Sequence, residues 1–132
     1  MKYKEIRDVL IAESTLTDVV STRVYSVGYP LPPTRPFIVT TIANTTPERG
    51  VNTSIGFVEH DIEIDIYADT VAELESLTTV IQAILDDDNG TYGATKVHEV
   101  SYEGKEDTKY INEAGNAFAY LRTLDFQVNA NQ

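Results

Sequence analysis

The 132-residue chain contains no cysteine, which excludes disulfides, thiol nucleophiles and cysteine-based zinc sites together. No apolar run approaches the roughly 20 residues that a helix needs to cross a bilayer. Lysine and arginine number 10 against 21 aspartates and glutamates, so the formal net charge is -11. We therefore expect no partner held by clustered basic side chains, neither nucleic acid nor an anionic membrane. The length predicts one domain over residues 1–132.

The sequence also lacks a recognisable reaction centre. It has no glycine-rich phosphate loop and no P-loop lysine. The two histidines, His60 and His98, lie on separate predicted strands, and each is interpreted as a strand residue satisfied by a hydrogen bond. The acidic run at residues 86–90 hints at calcium, but the EF-hand spacing would place Leu85 and Lys96 at ligand positions. We predict no catalytic residue, no cofactor and no metal site.

The strongest pattern in the chain is the alternation of residues 58–67, V-E-H-D-I-E-I-D-I-Y. Such a period of two is typical of a strand with one buried face. Thr70 and Glu73, which follow it, have the spacing of a helix capping box. Apolar residues then recur at helical spacing through residue 85. The sequence therefore predicts a strand and a helix that fold back on each other, because neither apolar face is covered alone.

The other segments are weaker in pattern but still ordered. Two helices are predicted before residue 21, the second starting at Ser14 or Thr15. The four prolines of residues 23–36 predict an ordered, extended connector there, which allows a short strand at residues 24–27. Further strands are predicted at residues 37–42, 95–103 and 118–128, with polar loops at residues 44–56 and 104–115. The element order predicts an α+β fold, a mostly antiparallel sheet of about four strands with helices on one face.

The sharpest polar feature is the stripe of carboxylates Glu59, Asp61, Glu63 and Asp65. Neighbours on one face of a strand lie roughly 6.6 Å apart. Paired carboxylates at such distances can hydrolyse glycosides, but evenly spaced ones on a flat face form no pocket. The stripe is interpreted either as a solvated sheet face or as an acidic surface lining water or a basic partner.

Several short segments together resemble one protein family. They are R-V-Y at residue 23, the prolines of residues 30–36, F-I-V at residue 37, E-I-D-I-Y-A at residue 63, A-E-L at residue 72 and L-R-T-L-D-F-Q-V at residue 121. In element order they resemble the tail-completion, or tail-to-head-joining, proteins of long-tailed bacteriophages, also called tail terminators. The resemblance implies a small structural subunit and no enzymatic activity. It also implies a ring, typically a hexamer, on the end of the tail tube.

Such a ring would stop tube polymerisation and join the head-neck proteins. The implied partners are further copies of the chain, the major tail tube protein and a head-neck connector protein, with DNA only as passing cargo and no membrane. The implied location is the tail-neck region of the virion, after synthesis in the host cytoplasm. Within this hypothesis the stripe Glu59, Asp61, Glu63 and Asp65 is the candidate lumen surface.

The predicted loop at residues 44–56 is the candidate contact with the tube or the next subunit. Its candidate residues are Arg49, Asn52, Ile55 and Phe57. Two alternatives stay open. One is a neck or head-completion protein on the portal side, and the other, with less support, is a small ligand-binding or enzymatic domain.

Overall fold

A computed structural model of the chain describes residues 3–27, 34–49, 54–85, 91–92, 95–111 and 117–131. Within these ranges the chain forms three helices and six strands. In chain order they are α1 (Tyr3–Ile11), α2 (Ser14–Val20), β1 (Val24–Ser26), β2 (Phe37–Arg49), β3 (Ser54–Ala68), α3 (Val71–Leu85), β4 (Thr91–Tyr92), β5 (Thr95–Ile111) and β6 (Ala117–Asn131). The two N-terminal helices and the strand–helix unit β3–α3 confirm the predictions for those segments.

The strands form one sheet in the order β1-β2-β3-β6-β5-β4. β1 pairs with β2 in parallel, whereas the other neighbouring strands pair antiparallel. The predicted fold class, an α+β fold with a mostly antiparallel sheet of about four strands and helices on one face, was therefore wrong as a whole, because the protein is mostly β and is dominated by one curled, mixed sheet of six strands. Of the additional strands, β1 lies within the short strand that the sequence allowed at residues 24–27, whereas β4 has two residues, which is too short for an alternation to be recognised.

β2 and β5 are longer than the sequence predicted, because their polar ends were expected to be loops. β2 continues to Arg49, which pairs with Ser54 of β3, so most of the predicted loop at residues 44–56 is a strand hairpin. β5 continues to Ile111 and pairs with β6 through most of the loop predicted at residues 104–115. Both loop predictions were wrong in extent. Exposed strands need no apolar alternation, because backbone pairing with a neighbouring strand is enough to order them.

The hydrophobic core lies between the helices and one face of the sheet. The isoleucines of β3 at positions 62, 64 and 66 are almost completely buried there. One cluster contains the sheet residues Val24, Ile38, Ile62, Ile64, Ile66, Leu124, Phe126 and Val128 and the helix residues Ile6, Leu10, Leu16, Val20, Leu74, Leu77, Ile81 and Leu85. Because strand side chains alternate, the carboxylates between these isoleucines must point to the opposite face.

The start of α3 is fixed by reciprocal capping. The Glu73 backbone N–H donates to Thr70 Oγ1 at 3.2 Å, and Glu73 Oε1 accepts from the Asp69 backbone N–H at 3.1 Å. The predicted capping box is confirmed, although the carboxylate binds the N–H of Asp69 rather than that of Thr70. The bond to Thr70 satisfies an N–H group that the first helical turn leaves without a partner, and the bond from Asp69 ties the residue before the N-cap to the helix. They therefore set the tight corner that returns α3 over β3.

Candidate functional site: the acidic face of the sheet

The four predicted carboxylates lie on β3, near the middle of the sheet. Glu59, Glu63 and Asp65 are half-buried and Asp61 is exposed, whereas the side chains between them are buried against the core. β3 is flanked by β2 on one side and β6 on the other. The stripe is therefore the central line of the sheet surface that faces away from the helices.

Pairing between strands adds three carboxylates that the sequence analysis missed. Glu63 lies opposite Asp125 of β6. Two further rows of the ladder extend to β5, ending at Glu106 beyond Asp65 and at Glu99 beyond Glu59. We call this surface the acidic face and define it by Glu59, Asp61, Glu63, Asp65, Glu99, Glu106 and Asp125. At the outward positions of residues 59–67, 99–108 and 121–129, no lysine or arginine occurs.

The two carboxylates at the centre of the acidic face have raised pKa values. Partial burial, followed by the charges of Asp125, Asp65 and Glu106, raises the pKa of Glu63. Partial burial, then the charges of Glu106, Asp65 and Asp61, raises the pKa of Asp125 as well. Like charges directly opposite on paired strands destabilise a sheet. The carboxylates of the acidic face therefore repel one another, and the packing of the subunit gains nothing from this repulsion.

One carboxylate of the face is held in place by a neighbour. Thr123 Oγ1 of β6 donates to Asp65 Oδ1 at 2.6 Å. Beyond it the surface becomes aromatic, because Tyr67 stacks on Phe37 at a centroid distance of 4.5 Å and Phe37 meets Tyr25 edge-on at 6.1 Å. The acidic face is therefore bounded at this end of the sheet by packed rings.

The second predicted set is only partly within the described residues. Asn52 lies outside them. Arg49 ends β2, and Ile55 and Phe57 belong to the first residues of β3, where the backbone of Phe57 pairs with that of Asn131. The side chains of these residues are outside the description. Their role in contacting a tube protein or another subunit stays a prediction.

The two histidines have different surroundings. His60 faces the core and is 3% exposed, and its Nδ1 lies 3.0 Å from Thr45 Oγ1. Its Nε2 is buried with no hydrogen-bond partner among the described residues. Burial, and secondarily the positive N-terminus, lowers the pKa of His60, which Glu5 partly offsets. His60 is thus a strand residue whose hydrogen bonding is satisfied at Nδ1 but not at Nε2, so its interpretation as a satisfied strand residue holds only in part. The side chain of His98 is outside the description.

A buried arginine joins the helix layer to the sheet. The Arg122 guanidinium donates from Nε and Nη2 to the two carboxylate oxygens of Asp107 at 2.7 and 3.1 Å. It also donates from Nη2 to Glu75 Oε1 at 2.9 Å and from Nη1 to Thr78 Oγ1 at 3.1 Å. These bonds lower the pKa of Asp107 and of Glu75. We call Arg122 with Asp107, Glu75 and Thr78 the Arg122 clasp. The feature of the sequence that could have revealed it is Arg122 itself, a charged residue on the otherwise apolar face of β6.

Two depressions of the surface lie among the described residues. A shallow depression of about 290 Å³ lies beside the Arg122 clasp, and its floor includes Leu74 and Tyr120. A second, of about 340 Å³, lies between α2 and α3. Neither contains Glu63 or Asp125, the carboxylates with raised pKa values. Among the described residues there is no group of His, Asp and Glu suited to a metal ion, and no helix long and apolar enough to span a membrane. Residues 86–90, considered for calcium, lie outside the description.

The fold occurs in a solved virion. A chain of the structure titled "Virion of native gene transfer agent (GTA) particle" superposes with a TM-score of 0.77 at 14% sequence identity. The match covers 96% of this chain and 92% of that chain. At this sequence identity the match shows a shared fold alone. A search of curated proteins found no match.

The amino-acid sequence identifies the protein family more closely than the shared fold does. The family model described as "Tail completion protein gp17" matches residues 4–109. The chain belongs to this family, and the resemblance noted in the sequence is confirmed. It is a structural protein of the bacteriophage tail and a component of the virion, where it associates with other tail proteins.

Proposed function

We propose that the protein forms a ring of six copies on the end of the tail tube. The ring ends tube polymerisation and joins the tube to the head-neck connector protein, and DNA passes through its centre. Membership of the tail-completion family supports the place at the tail end. The observation that carries the proposal for the lumen is the acidic face, with seven carboxylates and no lysine or arginine at the outward positions of residues 59–67, 99–108 and 121–129.

An acidic lumen would let DNA pass without binding to the channel wall. Carboxylates and phosphates repel each other within about one Debye length, roughly 8 Å at physiological ionic strength. With seven carboxylates from each of six copies, the channel wall would carry 42 of them. The same repulsion explains why Glu63 and Asp125 face each other, although opposed like charges weaken the isolated subunit.

We infer that the protein is not an enzyme. Catalytic carboxylates with shifted pKa values are typically found in concave, partly dehydrated sites. Here the carboxylates with raised pKa values lie on an open sheet face, and those with lowered pKa values are bound by Arg122. This arrangement supports a surface rather than a reaction centre.

The lumen assignment can be tested by reversing charge in the particle. Asp61→Lys combined with Glu63→Lys should leave tail length and head joining intact but lower DNA delivery per particle, because phosphates would bind the wall. Glu13→Lys with Asp18→Lys is the matched control, with the same change in charge at exposed positions near and in α2. Equal DNA delivery by both double variants would show that the acidic face does not line the path of DNA.

The position in the particle needs a separate measurement. Native mass spectrometry of the purified protein, alone and mixed with tail tubes or with capsids, reports ring size and partner in one experiment. We expect a closed ring, or a monomer that becomes a ring on tube ends. Binding to capsids but not to tubes would favour a neck or head-completion protein on the portal side, and a monomer that ignores both would contradict the proposal.

A further inference from the structure

The exposed large hydrophobic side chains lie at the two lateral sides of the described fold. Among the described residues they are Val19, Val27, Val71 and Tyr102, with 40%, 61%, 50% and 37% of their surface exposed. Val19 lies in α2 and Val27 follows β1, at one end of the strand order. Val71 begins α3 beside β5, and Tyr102 lies on β5, towards the other end of that order. Single exposed apolar side chains are ordinary, but two pairs on opposite sides are what a head-to-tail contact between copies requires.

On one side of the fold, the helix layer leaves the inner surface of β5 open. The helix-facing side chains of β6 at positions 122, 124 and 126 are buried. Their partners on β5 are all exposed: Asp107, Lys105 and Tyr102. The depression of about 290 Å³ beside the Arg122 clasp borders this surface, and its lining includes Val71, Lys109 and Tyr120. We call Val71, Tyr102, Lys105, Lys109 and this depression the β5 ledge.

On the other side, the exposed residues are held by the turn between α2 and β1. The Arg23 backbone N–H donates to the Val20 carbonyl at 3.0 Å, and the Val27 N–H donates to the Thr40 carbonyl at 2.9 Å. Val27 has a φ of 73°, in the left-handed region that a β-branched residue rarely adopts. Strained residues of this kind cluster at functional sites. We call the exposed residues Asp18, Val19 and Val27 the α2–β1 edge.

The two surfaces match in height along the strands. Val27 follows Ser26, which pairs with Thr40, and the next row of the sheet runs through positions 41, 63 and 125 to Gly104 of β5. Val27 is therefore level with the part of the β5 ledge between Tyr102 and Lys105. The Arg23 carbonyl, close to the end of α2, accepts from the Ile38 N–H at 3.0 Å. The adjacent row, from position 37 through 67 and 121, ends at position 108 of β5, so Val19 is level with the depression.

Charge favours a contact between the two different surfaces over a contact between two identical ones. Lys105 and Lys109 are exposed on the β5 ledge, whereas Asp18 is exposed on the α2–β1 edge. Asp107, the acidic residue between the lysines, is bound by Arg122. Two copies of the β5 ledge would bring lysines together, and two copies of the α2–β1 edge would bring aspartates together. A head-to-tail contact instead brings opposite charges together, which fixes the register of an interface.

We propose that the α2–β1 edge of one copy docks on the β5 ledge of the next copy. Val27 lies against Tyr102, Val19 covers the depression beside Val71, and Asp18 lies near Lys109. A contact between two different surfaces repeats from copy to copy and closes into a ring when the rotation allows it. With the rotation axis along the strands, the acidic faces of all copies lie on the same side. Closure into a ring rests on the proposed function, whereas the contact between the two surfaces is a separate claim.

The absence of cysteine makes disulfide trapping a clean test of this contact. In the double variant Val27→Cys with Tyr102→Cys, the new thiols of adjacent copies should lie within reach of each other. Within one copy, β1 and β5 are four strand spacings apart, about 19 Å, which exceeds the reach of a disulfide. Mild oxidation, with and without tail tubes, should therefore give a ladder of linked copies on a non-reducing gel. Mass spectrometry identifies the joined peptides.

The single variants are the matched controls. Val27→Cys alone and Tyr102→Cys alone should give no linked copies, and their equimolar mixture should give linked pairs but no longer ladder. Because the Tyr102 ring packs on Phe126 at a centroid distance of 5.3 Å, a second pair uses the more exposed position, Val27→Cys with Lys105→Cys. Far-UV circular dichroism and urea midpoints equal to those of the parent show that each variant is folded.

Charge reversal tests the register independently. In the Val27→Cys, Tyr102→Cys background, Lys109→Glu should slow the linkage several-fold at low salt, where exposed charges are least screened. Adding Asp18→Lys should restore the rate, because the opposite charges then face each other again. Lys96→Glu is the matched control, since Lys96 is also exposed on β5 but lies beyond the ledge, at the β4 end of the strand. It should leave the rate unchanged.

The possible outcomes separate the two claims. Linkage of position 27 to position 102 or 105, with none in the single variants, supports the contact. A ring seen by native mass spectrometry without linkage at either position overturns the contact but leaves the proposed ring. Linked open chains that never close support the contact and overturn the ring. Links only between two copies of the same position show a symmetric dimer and overturn the contact. A protein that stays monomeric, with and without tail tubes, overturns both claims.

Discussion

Replacing Arg122 tests how the helix layer is tied to the sheet. Arg122→Met keeps an apolar side chain of similar length and removes the guanidinium. The arginine is 3% exposed, but Asp107 and Glu75 are 49% and 61% exposed, so both carboxylates can return to water. Thr78 keeps its bond to the Leu74 carbonyl at 2.6 Å. The cost should therefore fall below the roughly 3–5 kcal/mol of a stranded buried charge. We expect a loss of about 1–2 kcal/mol from the charge-assisted hydrogen bonds.

The variant Arg122→Ala separates hydrogen bonding from packing. It loses the same bonds and also leaves a cavity beneath α3, so its total cost should be about 3–4 kcal/mol. The free energies of unfolding of both variants are measured by urea titration. The slope m of each variant should equal that of the parent, which shows that the same transition is compared. A double-mutant cycle with Asp107→Asn should give a coupling energy of about 1 kcal/mol, discounted for the exposure of Asp107.

Two results would refute this reasoning. If Arg122→Met costs as much as Arg122→Ala, the carboxylates are not rehydrated and the clasp behaves as a fully buried ion pair. If Arg122→Met is neutral or stabilising while Arg122→Ala is costly, only packing at this position matters. The intermediate result is expected because the arginine is buried and its acidic partners are not.

Three further predictions concern single side chains. Thr70→Ala should lower the free energy of unfolding by about 1 kcal/mol through loss of the cap, whereas the exposed mid-helix control Thr79→Ala should change it little in the same urea titration. The pKa of Glu63 is raised in the folded protein, so the ionised side chain lowers the free energy of unfolding at neutral pH. Glu63→Gln should therefore stabilise the protein at neutral pH. The gain should vanish as the pH falls below 4.5, where the carboxyl is protonated in the unfolded chain as well. Because the pKa of His60 is lowered, the unfolded chain binds its proton more tightly, so stability should fall as the pH drops below 6.5. His60→Leu should flatten that slope, and an unchanged slope would assign the proton uptake to another group.

The strand–helix unit β3–α3 was predictable because its signals are local. Period-2 isoleucines, a Thr–Glu capping pair and apolar residues at helical spacing each act within a few residues, and each is present in the structure. The strands formed by residues 43–49 and 104–111 were not predictable in this way. The described side chains at residues 43–46 and 105–109 are exposed and almost all polar, and backbone pairing with β3 and β6 makes these segments strands. The wrong strand number has a different reason, because β1 and β4 have only three and two residues, and the parallel pairing of β1 with β2 is set by the sheet as a whole.

The sequence alone determined which face of β3 is acidic, because alternation fixes the side of every side chain once the isoleucines are buried. It also carried enough of the family pattern to indicate a tail-completion protein. Only the tertiary structure decided that Asp125, Glu99 and Glu106 join the stripe, because register between distant strands is set by the whole sheet. The tertiary structure also gave Arg122 its partners on α3 and β5, at separations of 47 and 15 residues along the chain. Contacts over such separations depend on packing, which no local pattern encodes.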